Sequence, residues 1–189
     1  MQEQARRPRG RPSAKDDILD AAEAVVVDKG AVHLTLDAVT ERAGISKGGL
    51  RYHFDSKEAL LMALVERQVK RYEAAWHQRA AELGAGAADS LLGYLVASSE
   101  NRSGADAASG ALMAVAANSP KLLEPVRAYF RRRFVELEAA GGFERAAIVN
   151  MATEGLWIME MLQISPFDEE QRARAVEALR RFASGEATS

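Results

Sequence analysis

Apolar residues in this chain recur at three- and four-residue spacing, the period of one buried face of a helix. Ile18, Leu19, Ala22, Val25 and Val26 follow a Ser13/Asp16 capping signal and stop at Gly30, so a first helix is expected over 14–29. Thr35 can cap a second helix running to Ala43, with Leu36, Val39 and Ala43 inward and Gly44 as its stop. Ser46 then opens a short third helix, with Leu50 and Phe54 on one face, that ends near Asp55. Ser56 and Glu58 start a long fourth helix whose stripe Leu61, Leu64, Val65, Gln68, Val69, Tyr72, Ala75 and Trp76 extends to about Leu83.

After Gly84 and Gly86 the period resumes in a fifth helix over 88–102, with Leu91, Leu92, Leu95 and Val96 as its stripe, and a sixth over 105–117. Ser119-Pro120 reads as a cap and first helical residue, opening a seventh helix to about 140 that Pro125 should kink. Phe143 to Gln163 is a strongly apolar eighth helix, and Pro166 and Asp168 open a ninth that fades at Ser184-Gly185. Nine helices and no convincing strand make the fold class all-α.

Composition adds exclusions. The 189 residues include no cysteine, which removes thiol nucleophiles, Cys-based zinc sites and disulfides. No apolar run reaches the roughly 18 residues needed to span a bilayer, and no apolar leader segment precedes residue 17, so no membrane partner and a cytoplasmic location are expected. His33 and His77 lie apart without ligand spacing, so no metal is expected. Neither a P-loop nor a G-x-S-x-G is present; no enzyme and no cofactor are expected.

The net charge of −2 hides an uneven distribution. Arg6, Arg7, Arg9, Arg11 and Lys15 face only Glu3 at the N-terminus, whereas the chain from residue 58 onward carries 15 basic and 18 acidic residues. Residues 1–12 are read as a disordered basic arm. Its Pro8-Arg9-Gly10-Arg11-Pro12 contains the Arg-Gly-Arg-Pro core of an AT-hook, which suits a narrow A·T-rich minor groove; an electrostatic arm without sequence preference is the alternative.

The segment Thr35–Phe54 pairs two short helices around Gly44-Ile45-Ser46, the spacing of a helix-turn-helix. With Leu50 and Phe54 inward, Gly48, Gly49, Arg51 and Tyr52 point outward and Lys47 flanks them. Each glycine inside a helix costs about 0.5–1 kcal/mol relative to alanine, which a close approach of the backbone to DNA would explain. The Ser46 cap, the basic side chains and the Tyr52 hydroxyl offer donors to phosphates. Arg51 is the candidate base reader, because its planar fork matches guanine O6 and N7.

Over residues 13–64 the sequence resembles the TetR family of bacterial transcriptional repressors. Thr35, Ala43, Gly44, Ser46, Lys47, Gly48, Leu50, His53, Phe54, Ser56, Lys57, Glu58 and Leu60 stand in register with that family's pattern. The resemblance implies phosphate contacts from Thr35, Tyr52, His53 and Lys57, with Lys47 and Gly48 on the recognition helix. Arg51 departs from it, standing where the family commonly has tyrosine. The resemblance also implies a three-helix DNA-binding domain over 13–57 and a helical effector-binding and dimerisation domain over 58–189. The partners implied are a palindromic double-stranded operator, a small-molecule effector and a second copy of the chain. A constitutive architectural DNA binder and a helical-bundle enzyme are the rival readings.

The resemblance places the dimer on helices 8 and 9, with Val176, Leu179, Phe182 and Ala183 of helix 9 as an apolar seam. In helix 8, Glu154, Trp157 and Glu160 lie on neighbouring rows of one side. Buried carboxylates need an answering group. Arg127 or Arg131 of helix 7, or exposure at the dimer edge, would be a structural answer. The functional answer is a pocket walled by Tyr94, Met113, Phe130, Trp157 and Met161, in which Glu154 or Glu160 neutralises a flat or bulky cationic effector.

Overall fold

A computed structural model describes residues 13–82, 84, 90–100, 106–116 and 119–186. Among them the secondary structure is entirely helical: α1 (Ala14–Lys29), a 3-10 turn (Ala31–His33), α2 (Leu36–Ala43), α3 (Lys47–His53), α4 (Lys57–Glu82), α5 (Leu91–Glu100), α6 (Asp106–Ala116), α7 (Glu124–Gly141), α8 (Phe143–Met161) and α9 (Glu169–Ser184). The all-α expectation and its nine helices hold there. The basic arm, including Arg9 and Arg11, lies outside the described residues. No described helix is long and apolar enough to cross a membrane.

The helix starts follow from side-chain caps. Ser13 Oγ accepts from the Asp16 amide, Thr35 Oγ1 from Ala38 and Ser46 Oγ from Gly49. Asp168 and Gln171 form a reciprocal capping box at α9. Gly44, at φ +66°, ends α2 in the left-handed conformation that a Cβ disfavours, and the Ile45 amide closes the turn on the Thr40 carbonyl at 3.2 Å. Helix α7 departs from expectation. Ser119–Leu123 forms turns, and Pro125 sits in the first helical turn, where its missing N–H leaves no bond unmade and produces no kink.

Contacts divide the chain into two compact units at Leu64/Val65, seven residues beyond the boundary expected from the sequence. The start of α4 belongs to the first unit because it adds Leu60, Leu61 and Leu64 to that core, beside Ile18, Leu19, Val25, Val26, Leu34, Val39, Leu50 and Phe54. Each such side chain contributes about 1.5–3 kcal/mol on burial.

The second unit is built around Trp76, Leu91, Tyr94, Leu95, Leu137, Ala146 and Val149, with Ala183 of α9 in the same cluster. Gly141 ends α7 hard against α5: a Cβ there would lie 2.3 Å from Leu91 Cδ1. The residues expected at the helix 9 seam also serve the core of their own chain. Ala183 is buried in its own chain's core, Leu179 and Phe182 pack against that core, and Val176 is also buried. An apolar stripe on a helix adjacent to α5 and α8 covers its own core before any partner.

Candidate functional site

In the first unit the cores of α2 and α3 leave the polar side of α3 in solvent. Leu50 and Phe54 are buried, while Lys47, Gly48, Gly49 and Arg51 are exposed and Tyr52 is 86% exposed. His53 is half-buried, its ring edge-on to Tyr52 at 5.1 Å. Thr35, Ser46 and Lys57 are exposed at the starts of α2, α3 and α4. Lys47 is held by Asp37 at 2.8 Å, a fully solvated pair that a phosphate can displace cheaply. Among the described residues Arg51 has no ion pair.

The two glycines of α3 have no structural task. A Cβ on Gly48 would meet only Ser46 Oγ at 3.9 Å, and one on Gly49 the same atom at 3.4 Å, both ordinary contacts. Neither has a positive φ. The fold therefore has room and a suitable backbone for alanine at both positions.

In the second unit the seven residues assigned to one pocket divide. Met113, Phe130, Glu154 and Trp157 line a cavity of about 90 Å³ together with Tyr72, Tyr129 and residues of α4. Glu160, Met161 and, again, Trp157 line a larger one of about 560 Å³ between α5, α8 and α9. Tyr94 lines neither: it is 1% exposed and holds the floor behind Glu154.

Glu154 is answered by hydrogen bonding without a counter-charge. The Tyr94 hydroxyl donates to its carboxylate, and Asn150 Nδ2 donates to that hydroxyl at 2.9 Å. Burial raises the Glu154 pKa above the usual carboxylate value against the opposing effect of Tyr94. Burial and the Glu154 charge also push the Tyr72 and Tyr94 phenols well up, and burial takes Tyr129 to about 12. Tyr72 and Tyr129 meet edge-to-face at 5.7 Å, Tyr129 and Phe130 at 5.4 Å. The result is an aromatic cleft with a carboxylate in its wall.

The arginines proposed from the sequence are engaged elsewhere. Arg127 bonds the Pro120 carbonyl at 2.9 Å, and Arg131 pairs with Glu124 at 2.6 Å. Glu160 instead meets Arg172 of α9 at 2.5 Å. Arg133 of α7, 4% exposed, stacks on Trp76 at 3.5 Å and pairs with Glu136. Tyr72, Tyr129 and Arg172 escaped sequence reasoning. Tyr72 lies within the apolar stripe of helix 4, and neither Tyr129 nor Arg172 belongs to a local pattern that would single it out. Only contacts across distant helices reveal their roles. Among the described residues no cluster of His, Cys, Asp and Glu could hold a metal.

Comparison with known proteins agrees with this division. Residues 18–64 match the family described as "Bacterial regulatory proteins, tetR family", and residues 88–184 match "Tetracyclin repressor-like, C-terminal domain". The HTH-type transcriptional regulator EthR of Mycolicibacterium smegmatis is 37% identical over 75 residues, 36% of this chain and 35% of that protein. The A-factor receptor protein of Streptomyces griseus is 38% identical over 56 residues, 30% of this chain and 20% of the receptor. The alignments thus span about a third or less of these curated relatives. Among solved structures, a TetR-family member from Streptomyces coelicolor A3 superposes with a TM-score of 0.71 at 24% identity, covering 91% of this chain and 99% of that one. The multidrug binding protein EbrR complexed with malachite green does so with a TM-score of 0.71 at 23% identity, covering 91% and 99%. With both segments matched and the helix-turn-helix in place, the chain belongs to the TetR family of bacterial regulatory proteins.

Proposed function

We propose that the protein is a ligand-responsive transcriptional repressor that binds a palindromic operator as a homodimer and releases it on binding a flat, apolar, cationic effector. The observation that carries the DNA reading is the exposed side of α3, where two glycines that the fold does not need stand beside Arg51 and Tyr52. Thr35, Ser46, Tyr52, His53 and Lys57 are the proposed phosphate contacts, Lys47 and Arg51 the groove-facing side chains, and Arg9 and Arg11 the proposed minor-groove arm.

The effector reading rests on Glu154. A half-buried carboxylate with aromatic walls and no counter-ion among the described residues favours a cation that stacks on rings. EbrR's complex with malachite green offers a parallel for an aromatic ligand in the same fold. At about 90 Å³ the cavity is smaller than the roughly 150 Å³ that holds benzene in an engineered core. An aromatic effector must therefore spread α4, α7 and α8 to enter. Because α4 is continuous from Lys57 to Glu82, displacing its cavity-lining residues gives the ligand a mechanical route to the helix-turn-helix.

A second copy has a further apolar surface to meet besides the helix 9 stripe. On α8, Ile148, Met151, Ile158 and Leu162 are exposed at positions i, i+3, i+10 and i+14. Gly155 fills i+7, and a Cβ there would touch nothing within 4 Å, leaving room for a partner helix. We assign the dimer seam to this face, with the outer side of α9 beside it.

Selection of bound fragments from random duplex DNA, followed by competition with malachite green, tests the whole reading. A palindromic consensus released by the dye is the expected result. Binding without a consensus, or a consensus that no aromatic cation releases, would favour the constitutive architectural binder.

A further inference from the structure

The cavity between α5, α8 and α9 is not part of the effector reading, and its chemistry differs. Its volume of about 560 Å³ falls within the ~300–1,000 Å³ of small-molecule sites. Trp157 and Phe167 supply flat apolar surface, with Leu95 and Met161 beside them. Arg172 builds the polar end: Nε holds Glu160 at 2.5 Å, and Nη2 donates to the Ser99 carbonyl at 3.0 Å, tying α9 to α8 and α5. Those two charges cancel. Asp168, which caps α9, and Glu169 also line the cavity, but both are exposed and water screens their charges. In the wall lies Thr153, 3% exposed, whose hydroxyl has no hydrogen-bond partner among the described residues. A buried hydroxyl without a partner is costly to retain, and here it lies in the lining of a cavity large enough to bring one.

We propose that this cavity is a second ligand compartment, separated from the Glu154 cavity by the Trp157 indole, which binds a neutral aromatic molecule carrying a hydrogen-bonding group such as an amide or hydroxyl. The ring stacks on Trp157 and the polar group meets Thr153 Oγ1. Anions are disfavoured because Arg172 already has its carboxylate, and cations because Glu160 already has its guanidinium. The proposal stands independently of the effector reading, since the two cavities share only one side chain.

The two compartments have separate reporters. Met161 and Leu95 line this cavity alone, whereas Met113 and Val69 line the Glu154 cavity alone. Methyl-labelled full-length protein should be titrated with naphthalene carboxamide, and in parallel with naphthoate and naphthylmethylammonium. Saturable shifts of the Met161 and Leu95 methyls with the carboxamide, at lower concentration than with either ion, are expected. Thr153→Val removes the hydroxyl while keeping the shape, so it should fold at least as well and bind the carboxamide about tenfold more weakly. Trp157→Ala should remove the division, so that the carboxamide also shifts Met113 and Val69. Shifts confined to Met113 and Val69 in the unaltered protein, absence of saturable shifts at Met161 and Leu95, or undiminished affinity in Thr153→Val would overturn the proposal. The effector reading is judged separately, by whether naphthylmethylammonium shifts Met113.

Discussion

The first unit keeps its candidate chemistry on the outside and the second keeps it within. Apart from the arm residues Arg9 and Arg11, every proposed DNA contact lies between Thr35 and Lys57, in one short stretch of chain on helices whose apolar sides close a small core. In the second unit the candidate groups are buried or half-buried and come from helices far apart in sequence. Tyr94 reaches Glu154 across 60 positions, and Arg172 reaches the Ser99 carbonyl across 73. A surface that reads DNA tolerates charge because water solvates it when DNA is absent. A cavity that reads small molecules must satisfy each polar group internally, and whatever it leaves unsatisfied indicates what the ligand supplies.

That contrast breaks most visibly at α8. If Met151 and Ile158 belong to a seam between copies, Met151→Glu combined with Ile158→Glu should yield a folded monomer. Operator affinity should then fall by roughly 100-fold or more, because two linked half-site contacts become one. Leu179→Glu should behave differently: it puts a charge against the protein's own core and should cost about 2–4 kcal/mol of folding stability. Sedimentation velocity together with urea denaturation separates the two. A stable dimer surviving the α8 pair would move the seam elsewhere.

The next largest effect is expected at Glu154. Glu154→Gln keeps an acceptor for Tyr94 and removes the charge, so affinity for a cationic aromatic should fall by about 10- to 100-fold while a neutral analogue is unaffected. The pH dependence has a definite sign. The folded-state pKa of Glu154 is raised by burial, so its contribution to stability is fully present below the unfolded carboxylate pKa and is lost as pH rises through the folded value. Cation affinity runs the other way, increasing as the carboxylate ionises. Calorimetric titration across that range should show both trends in the unaltered protein and neither in Glu154→Gln; a pH-independent affinity in the unaltered protein would remove Glu154 from the site.

On the DNA side, Arg51 and Lys57 should separate base reading from phosphate holding. Arg51→Ala should cost about 1–3 kcal/mol on the consensus and little on random DNA, flattening preference at one base pair per half-site. Lys57→Ala should weaken both alike and reduce the salt slope by about one per subunit. Equal losses for both variants on both DNAs would show that neither role is assigned correctly.

How far sequence alone reaches depends on the same division between units. Helix starts at Ser13, Thr35, Ser46 and Asp168 were readable because a cap is a local event between a side chain and an amide three residues on. The exposed side of α3 was readable because Leu50 and Phe54 leave only one orientation for a short helix. The partners of Glu154 and Glu160 were not. Periodicity put both on the same side of α8, but their answers lie on α5 and α9, and no local rule chooses between those and the nearer arginines of α7. The helix 9 stripe is apolar for more than one possible neighbour: Val176 and Ala183 are buried within their own chain, and an apolar seam carries no label for which chain covers the rest of it.

The smallest expected effect is the most direct test of why α3 is built as it is. Gly48→Ala and Gly49→Ala place a methyl in ordinary contact with Ser46 Oγ, at 3.9 and 3.4 Å, in a helix whose backbone angles alanine prefers. Each should stabilise the first unit by about 0.5–1 kcal/mol, because alanine loses less backbone entropy than glycine on entering a helix. On operator DNA the sign should reverse, with the added methyl holding α3 away from the groove and lowering affinity. Thermal denaturation and operator titration on the same preparations measure both quantities. Gain in stability with loss in binding would mean that the glycines are kept for the DNA. Loss of stability would mean that the fold needs them after all, and the exposed side of α3 would lose its strongest argument as the reading surface.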